Sequence, residues 1–122
     1  MAAERTQVGI IGAGPTGLML SHLLALAGIE SVVLESRSRD YVERRMRAGL
    51  LEQGTVDLLA ETGVGDRLKR EALVHHGIEI MVNGVRHRIP LSDLTGGKSV
   101  FIYSKHEVVK DLINARLGAG VR

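Results

Sequence analysis

"VGIIGAGPTGL", residues 8–18, sets a run of apolar strand formers directly before three glycines. Gln7 to Ile11 reads as a short strand buried on both faces, because its apolar residues run on without alternation. The turn Gly12-Ala13-Gly14 follows, and Pro15 suits the first helical position, where a missing N–H costs nothing. The helix is predicted to run to Ala27, with Leu18, Leu20, Leu23, Leu24 and Ala27 on its apolar faces and Gly28 as its stop. Ser31 to Leu34 is a second buried strand, and it delivers Glu35. Strand, turn, helix and strand make a parallel crossover whose handedness is nearly invariant.

Gly12, Gly14 and Gly17 are spaced G-x-G-x-x-G. The first allows a tight turn, the second lets a pyrophosphate approach closely, and the third lets helix pack tightly on strand. The helix N-terminus offers unpaired N–H groups and partial positive charge to a phosphate. Glycines alone are weak evidence. Here a strand precedes them, a helix follows, and an acid closes the second strand, which is the context a dinucleotide site requires. Glu35 is placed to accept hydrogen bonds from ribose hydroxyls and disfavours a 2′-phosphate, pointing to FAD or NAD in this cradle. The competing readings are a structural glycine turn and a solvated carboxylate.

Composition bounds the rest. The 122 residues accommodate one domain. Apolar residues make up 44% and charged residues 25%, as in ordinary globular proteins. Aromatics are confined to Tyr41, Phe101 and Tyr103, which leaves few stacking platforms for single-stranded nucleic acid. A net charge of +2 is too small to imply a polyanion partner. Without cysteine there is no disulfide framework and no thiolate site. The longest apolar stretch, near residues 18–29, is too short to span a bilayer and no leader is evident, so a cytoplasmic protein is expected.

Arg37 to Arg47 is rich in arginine. Arg37, Arg39 and Arg44 read most simply as a solvated basic loop. Arg45 and Arg47 lead into Ala48-Gly49, where a small-residue backbone admits a flat ligand and a guanidinium can grip pyrophosphate. Chemistry alone leaves open whether these two touch a cofactor. Helices are predicted at 52–61, with Gly63 as stop, and at 64–72. Residues 76–82 and 85–89 read as strands joined by Asn83-Gly84, the strongest short hairpin signal. "PLSDLTGG", residues 90–97, is a loop and 100–103 another strand. Ser104 and Glu107 form a capping box opening a helix whose apolar positions are Val108, Leu112, Ile113 and Leu117. His75, His76, His87 and His106 suggest no metal site, because adjacent strand histidines point to opposite faces and no acid stands at ligand spacing.

The runs "TQVGIIGAGPTGL" (6–18), "GIESVVLE" (28–35), "DYVERRMRAGLLEQGTVDLL" (40–59), "VHHGIEI" (74–80), "LTGGKSVFIY" (94–103) and "EVVKDL" (107–112) occur in this order. Together they resemble the N-terminal part of the 4-hydroxybenzoate 3-monooxygenase family, single-component flavin-dependent aromatic hydroxylases. The similarity extends from about Thr6 to Arg116, and the R-x-R-A-G-x-L-E-Q-G run is far more specific than the glycine fingerprint. The resemblance implies an α/β fold, with a Rossmann-like βαβ unit on a parallel sheet and a β-hairpin belonging to the substrate-side sheet of the complete fold. It implies FAD as cofactor, NADPH or NADH as co-substrate, O2, and hydroxylation of 4-hydroxybenzoate to 3,4-dihydroxybenzoate.

By position, the resemblance puts Glu35 on the FAD ribose and Thr16 at the pyrophosphate turn with Gly12, Gly14 and Gly17. Arg45, Met46, Arg47, Ala48, Gly49 and Leu50 would line FAD, with Arg47 on the pyrophosphate. Arg37, Tyr41 and Arg45 fall where the nicotinamide nucleotide lies. His75 matches a histidine ending the relay that ionises the phenol. Lys105 stands where members carry a flavin-contacting glutamine, and Ser36 replaces an arginine of NADPH-preferring members, leaving NADH against NADPH open. Members are much longer, so residues 1–122 are expected to be the N-terminal portion of the FAD-binding domain, with 75–103 contacting or joining a missing substrate domain. The complete protein is expected to be a homodimer and 122 residues alone to be inactive. The alternatives are an NAD-binding module of another oxidoreductase and a non-catalytic nucleotide-binding remnant.

Overall fold

A computed structural model describes residues 3–120. It divides into two compact units. One holds the described residues up to Arg47 and from Ser104 onward, the other Ala48–Tyr103.

The first unit begins with β1 (Val8–Ile11), α1 (Pro15–Leu26) and β2 (Ser31–Leu34), and β1 and β2 are parallel with Val8 opposite Ser31 and Ile11 opposite Leu34. This is the predicted crossover. Past the end of α1, the Ile29 N–H donates to the Leu24 carbonyl and Gly28 N–H to Ala25, a complete Schellman closure. The burial differs from expectation. Only Ile10 of β1 is a buried apolar residue, while Ile11 is 83% exposed. Among the described residues this sheet has two strands, and Leu34, opposite Ile11, is also exposed. Of the predicted apolar set on α1 only Leu18 is buried, together with Ser21; Leu24 is half-buried, and Leu20 and Leu23 are exposed, as is Leu26.

Two further helices complete the unit. α2 (Arg39–Arg44) occupies the stretch expected to be a basic loop. A helix start lies within the charge run: the Ser38 hydroxyl caps the Tyr41 N–H at 3.2 Å, with Asp40 in the first turn and Arg44 in the last. Arg39 pairs with Glu43 at 2.7 Å and Arg44 with Asp40 at 2.9 Å, each one helical turn apart. α6 (Lys105–Gly118) packs on α1 and α2. Ser104 stands at its N-cap, but the hydroxyl makes no cap hydrogen bond, contrary to the predicted box. Its buried stripe is Val108, Val109, Leu112 and Arg116, and Leu117 lies outside it.

The second unit holds a three-stranded antiparallel sheet in which β7 (Val100–Ile102) lies between β3 (Leu50–Glu52) and β4 (Leu73–His75). Neither β3 nor β4 is signalled by the sequence. Three-residue strands carry too little periodicity to register, and each exists because β7 supplies its ladder. The helices α3 (Gln53–Glu61) and α4 (Asp66–Glu71) place Leu59 and Leu68 in the core beside Leu51 and Tyr103. The predicted 76–82 strand starts only at Ile78, because the His76 carbonyl turns away to accept the Ser92 N–H at 2.9 Å. Only His75 of the histidine pair lies in a strand. Within the predicted 90–97 loop, α5 (Leu91–Leu94) makes a single helical turn, closed by the Thr95 hydroxyl donating to the Leu91 carbonyl at 2.6 Å.

The hairpin β5 (Ile78–Val82) and β6 (Val85–Ile89) forms as expected. Asn83 and Gly84 both have positive φ, 50° and 77°, matching the twist of a type I′ turn. Ile78, Ile80 and Val82 share one face with Val85, His87 and Ile89. Most of these side chains are exposed.

Candidate dinucleotide site

The glycine turn leaves β1 through Gly12, whose φ of 106° only glycine adopts readily and whose N–H donates to the Leu34 carbonyl at 2.7 Å. Gly14 is the N-cap of α1, and a Cβ placed there would meet no atom within 4 Å, so open space lies over the turn. Gly17 behaves oppositely. A Cβ there would strike the Gly12 carbonyl oxygen and lie 3.2 Å from Ile10 Cγ2, so α1 can sit this close to β1 only without a side chain. The three glycines thus divide turn, open approach and close packing among themselves. Beyond Pro15, which has no N–H, the Thr16 and Gly17 amides belong to the first helical turn and lack intrahelical acceptors.

Glu35 is tied into this turn. Its Oε2 accepts the Ala13 N–H at 2.9 Å and its Oε1 the Arg37 N–H at 2.9 Å. These N–H groups, Ala13 first, favour the carboxylate and hold its pKa below the ordinary value. A carboxylate offers about four lone-pair sites, so hydroxyl donors can still bind. The reading of Glu35 as a loosely solvated carboxylate is therefore corrected: it is exposed yet anchored.

The arginines separate by their partners. Arg39 and Arg44 pair along α2, and Arg39 Nη2 also donates to Asn114 Oδ1 on α6 at 3.3 Å. Arg37 lies 5.4 Å from the centre of the exposed Tyr41 ring, a cation–π pair that brings two of the predicted nucleotide residues together. Arg45 caps the C-terminus of α2 and turns the chain to an extended path, with Met46 largely exposed. Arg47 Nη1 is buried without a hydrogen-bond partner among the described residues. A buried guanidinium nitrogen lacking an acceptor is costly, and a pyrophosphate oxygen is the kind of group that would satisfy it. The open ground over Gly14, the α1 amides and this orphaned donor fit a dinucleotide.

The other predicted residues are dispersed. Ala48, Gly49 and Leu50 belong to the second unit, where the Gly49 carbonyl accepts the Tyr103 N–H at 2.7 Å and Leu50 opens β3 opposite Ile102. His75, also there, is exposed and opposite Val100. Lys105 is the first residue of α6 in the first unit. A cleft of about 680 Å³ lies over Thr6, Gly9, Val32 and Leu34, away from the glycine turn, along β1 and β2.

Two polar clusters have little or no signal in the sequence. Arg116 is buried against Ser21 and Ser31. His76 Nδ1 lies 3.0 Å from Ser99 Oγ and 3.2 Å from Ser92 Oγ, and Gln53 Oε1 accepts the Ser99 N–H at 3.1 Å. Only serine on an otherwise apolar helix stripe hints at the first, and nothing local hints at the second.

The FAD binding domain family matches residues 5–122. The chain belongs to this family of FAD-binding domains. It is 54% identical, over 99% of its length, to the p-hydroxybenzoate hydroxylase of Acinetobacter baylyi, of which it covers 30%. It is 31% identical over 93% of its length to the dialkyldecalin synthase of Streptomyces rugosporus, covering 24% of that protein. In structure it matches PqsL of P. aeruginosa in complex with 2-aminobenzoylacetate, with a TM-score of 0.86 at 21% identity, over 96% of this chain and 32% of that one. This FAD-binding domain therefore spans between about a quarter and a third of the length of these relatives. Its α/β fold, with parallel β1–β2 and separate antiparallel sheets, is the predicted class. Among the described residues no helix is long and apolar enough to cross a membrane.

Proposed function

We propose that this FAD-binding domain serves a flavin monooxygenase that hydroxylates 4-hydroxybenzoate to 3,4-dihydroxybenzoate with NADPH or NADH and O2. The 54% identity running through nearly the whole chain carries the reading. Bound FAD would supply the redox chemistry, hydride acceptance and oxygen activation. The residues of this chain bind and orient. Glu35 takes the ribose hydroxyls, Gly14, Thr16 and Gly17 admit the pyrophosphate, and Arg47 pairs with it. Arg45, Met46, Ala48, Gly49 and Leu50 line the cofactor, and Lys105 adds a cation where relatives carry glutamine. Arg37, Tyr41 and Arg45 receive the nicotinamide nucleotide. His75 passes a proton between solvent and the bound phenol, its imidazole offering one ring nitrogen as donor and the other as acceptor.

Residues 75–103 reach toward a substrate domain beyond this chain, and the complete enzyme works as a cytoplasmic homodimer. The exposed apolar hairpin supports the first of these points, since such a surface marks an interaction site. Titrating the purified polypeptide separately with FAD and NAD tests the cofactor: FAD should bind and turn the protein yellow, and binding of NAD alone would overturn the reading. The complete enzyme, given 4-hydroxybenzoate, NAD(P)H and O2, should form 3,4-dihydroxybenzoate by chromatography. The 122 residues alone should form none, because the reaction needs a pocket closed to water.

A further inference from the structure

Arg116 is 7% exposed and belongs to none of the groups assigned above. Its Nη1 donates to the Ser21 hydroxyl and, at 3.3 Å, to the Ser31 hydroxyl, while Nη2 donates to the Ser31 carbonyl at 2.6 Å. One guanidinium thereby joins three elements: α6, which carries it, the middle of α1, and the first residue of β2. Ser21 is fully buried. The position follows from helical spacing, since Val108, Leu112 and Arg116 are four residues apart along one stripe. An apolar side chain there would pack without the cost of desolvating a charge. Leu117, next in the chain, is instead left 51% exposed.

The two elements that Arg116 ties together are the two that make the cradle. Ser21 lies seven residues beyond Gly14, about 10 Å along α1 at 1.5 Å per residue. Ser31 lies four residues before Glu35, about 13 Å along β2. Apolar contact is non-directional and tolerates sliding of a helix over strands, whereas a forked donor on fixed acceptors does not. Apolar burial along α1 is also thin, with Leu18 its only buried apolar side chain. We infer that Arg116 is a positioning residue for the dinucleotide cradle: it locks α1 against β2 and so sets the distance between the glycine turn and Glu35. The contact it maintains is the 2.9 Å hydrogen bond from Ala13 N–H to Glu35. The inference rests on the cofactor reading above only for its consequence in binding.

Arg116→Met, Arg116→Lys and Ser21→Ala in the complete polypeptide test it by two readouts. These are the FAD dissociation constant and hydrogen exchange at the Ala13 amide relative to Val109, in the centre of α6. Arg116→Met keeps a flexible, unbranched and somewhat shorter side chain but no donor. It should weaken FAD at least about tenfold, the scale of one charge-assisted hydrogen bond, and speed exchange at Ala13 while Val109 is unchanged. Arg116→Lys, retaining a donor, should recover part of both effects. A folded Arg116→Met with unaltered FAD affinity and unaltered Ala13 exchange overturns the inference. Should that variant fail to fold, Ser21→Ala, which removes one acceptor, decides by the same two readouts. If the unaltered protein takes up no FAD, the cofactor reading alone fails, and Ala13 exchange still decides the positional claim.

Discussion

The glycine cradle and the β5–β6 hairpin each have a glycine-containing turn directly after a short strand, and they end in opposite circumstances. In the cradle the turn is tied to its surroundings: Gly12 to Leu34, Ala13 to Glu35, and α1 to β2 through Arg116. In the hairpin, the backbone ladder and the Asn83-Gly84 turn suffice to form the element, yet its side chains stay open, with Met81 62% exposed. A glycine turn therefore announces geometry in both places, and only what packs around it separates a binding site from an uncovered surface. The same change should be costly in one region and nearly silent in the other.

The largest effect is expected at Gly17→Val. Its side chain would collide with the Gly12 carbonyl inside a contact that has no room. Urea denaturation should show a loss of about 3 kcal/mol, the upper end for overpacking, and a near-neutral result would break the comparison on the cradle side. Arg47→Ala comes next. Removing the orphaned guanidinium should weaken FAD by about 1.5–3 kcal/mol, roughly ten- to a hundredfold, in a fluorescence titration. Unchanged affinity would remove Arg47 from the site.

A smaller effect is expected for Glu35→Gln, and it depends on pH. The folded state lowers the Glu35 pKa from its ordinary value of 4.5, because the charged form accepts the Ala13 and Arg37 amides. Its contribution is therefore complete above that value and is lost as pH falls through the lower folded value. Melting temperatures measured from pH 7 downward should fall more gently on the acid side in Glu35→Gln than in the unaltered protein. Parallel acid branches would show that the anchored carboxylate does not contribute. Smallest is Met81→Ser on the hairpin, which should change the stability of this chain by no more than about 0.5 kcal/mol, since nothing covers the side chain. A cost of several kcal/mol by denaturation would mean that the hairpin is packed and that the contrast fails.

The sequence alone determined the elements whose causes are local. Residues 8–35 contain the strand, the turn glycines, the Pro15 helix start, the Gly28 stop and the acid, so the cradle is legible from neighbours in the chain. Asn83-Gly84 likewise specifies its hairpin by backbone dihedrals alone. The Ser38 cap of α2 is local too, but the arginines around it mask it as a solvated loop. Tertiary structure decided what depends on distant partners. The strands β3 and β4 are three residues each and exist by pairing with β7, which lies far along the chain from both. Arg116 is buried because serines 85 and 95 positions away accept its donors. His76 faces Ser92 and Ser99 because its carbonyl leaves the strand. Propensity and capping act over a turn or two of chain, whereas burial of a polar group is decided by whichever residues the fold brings to it.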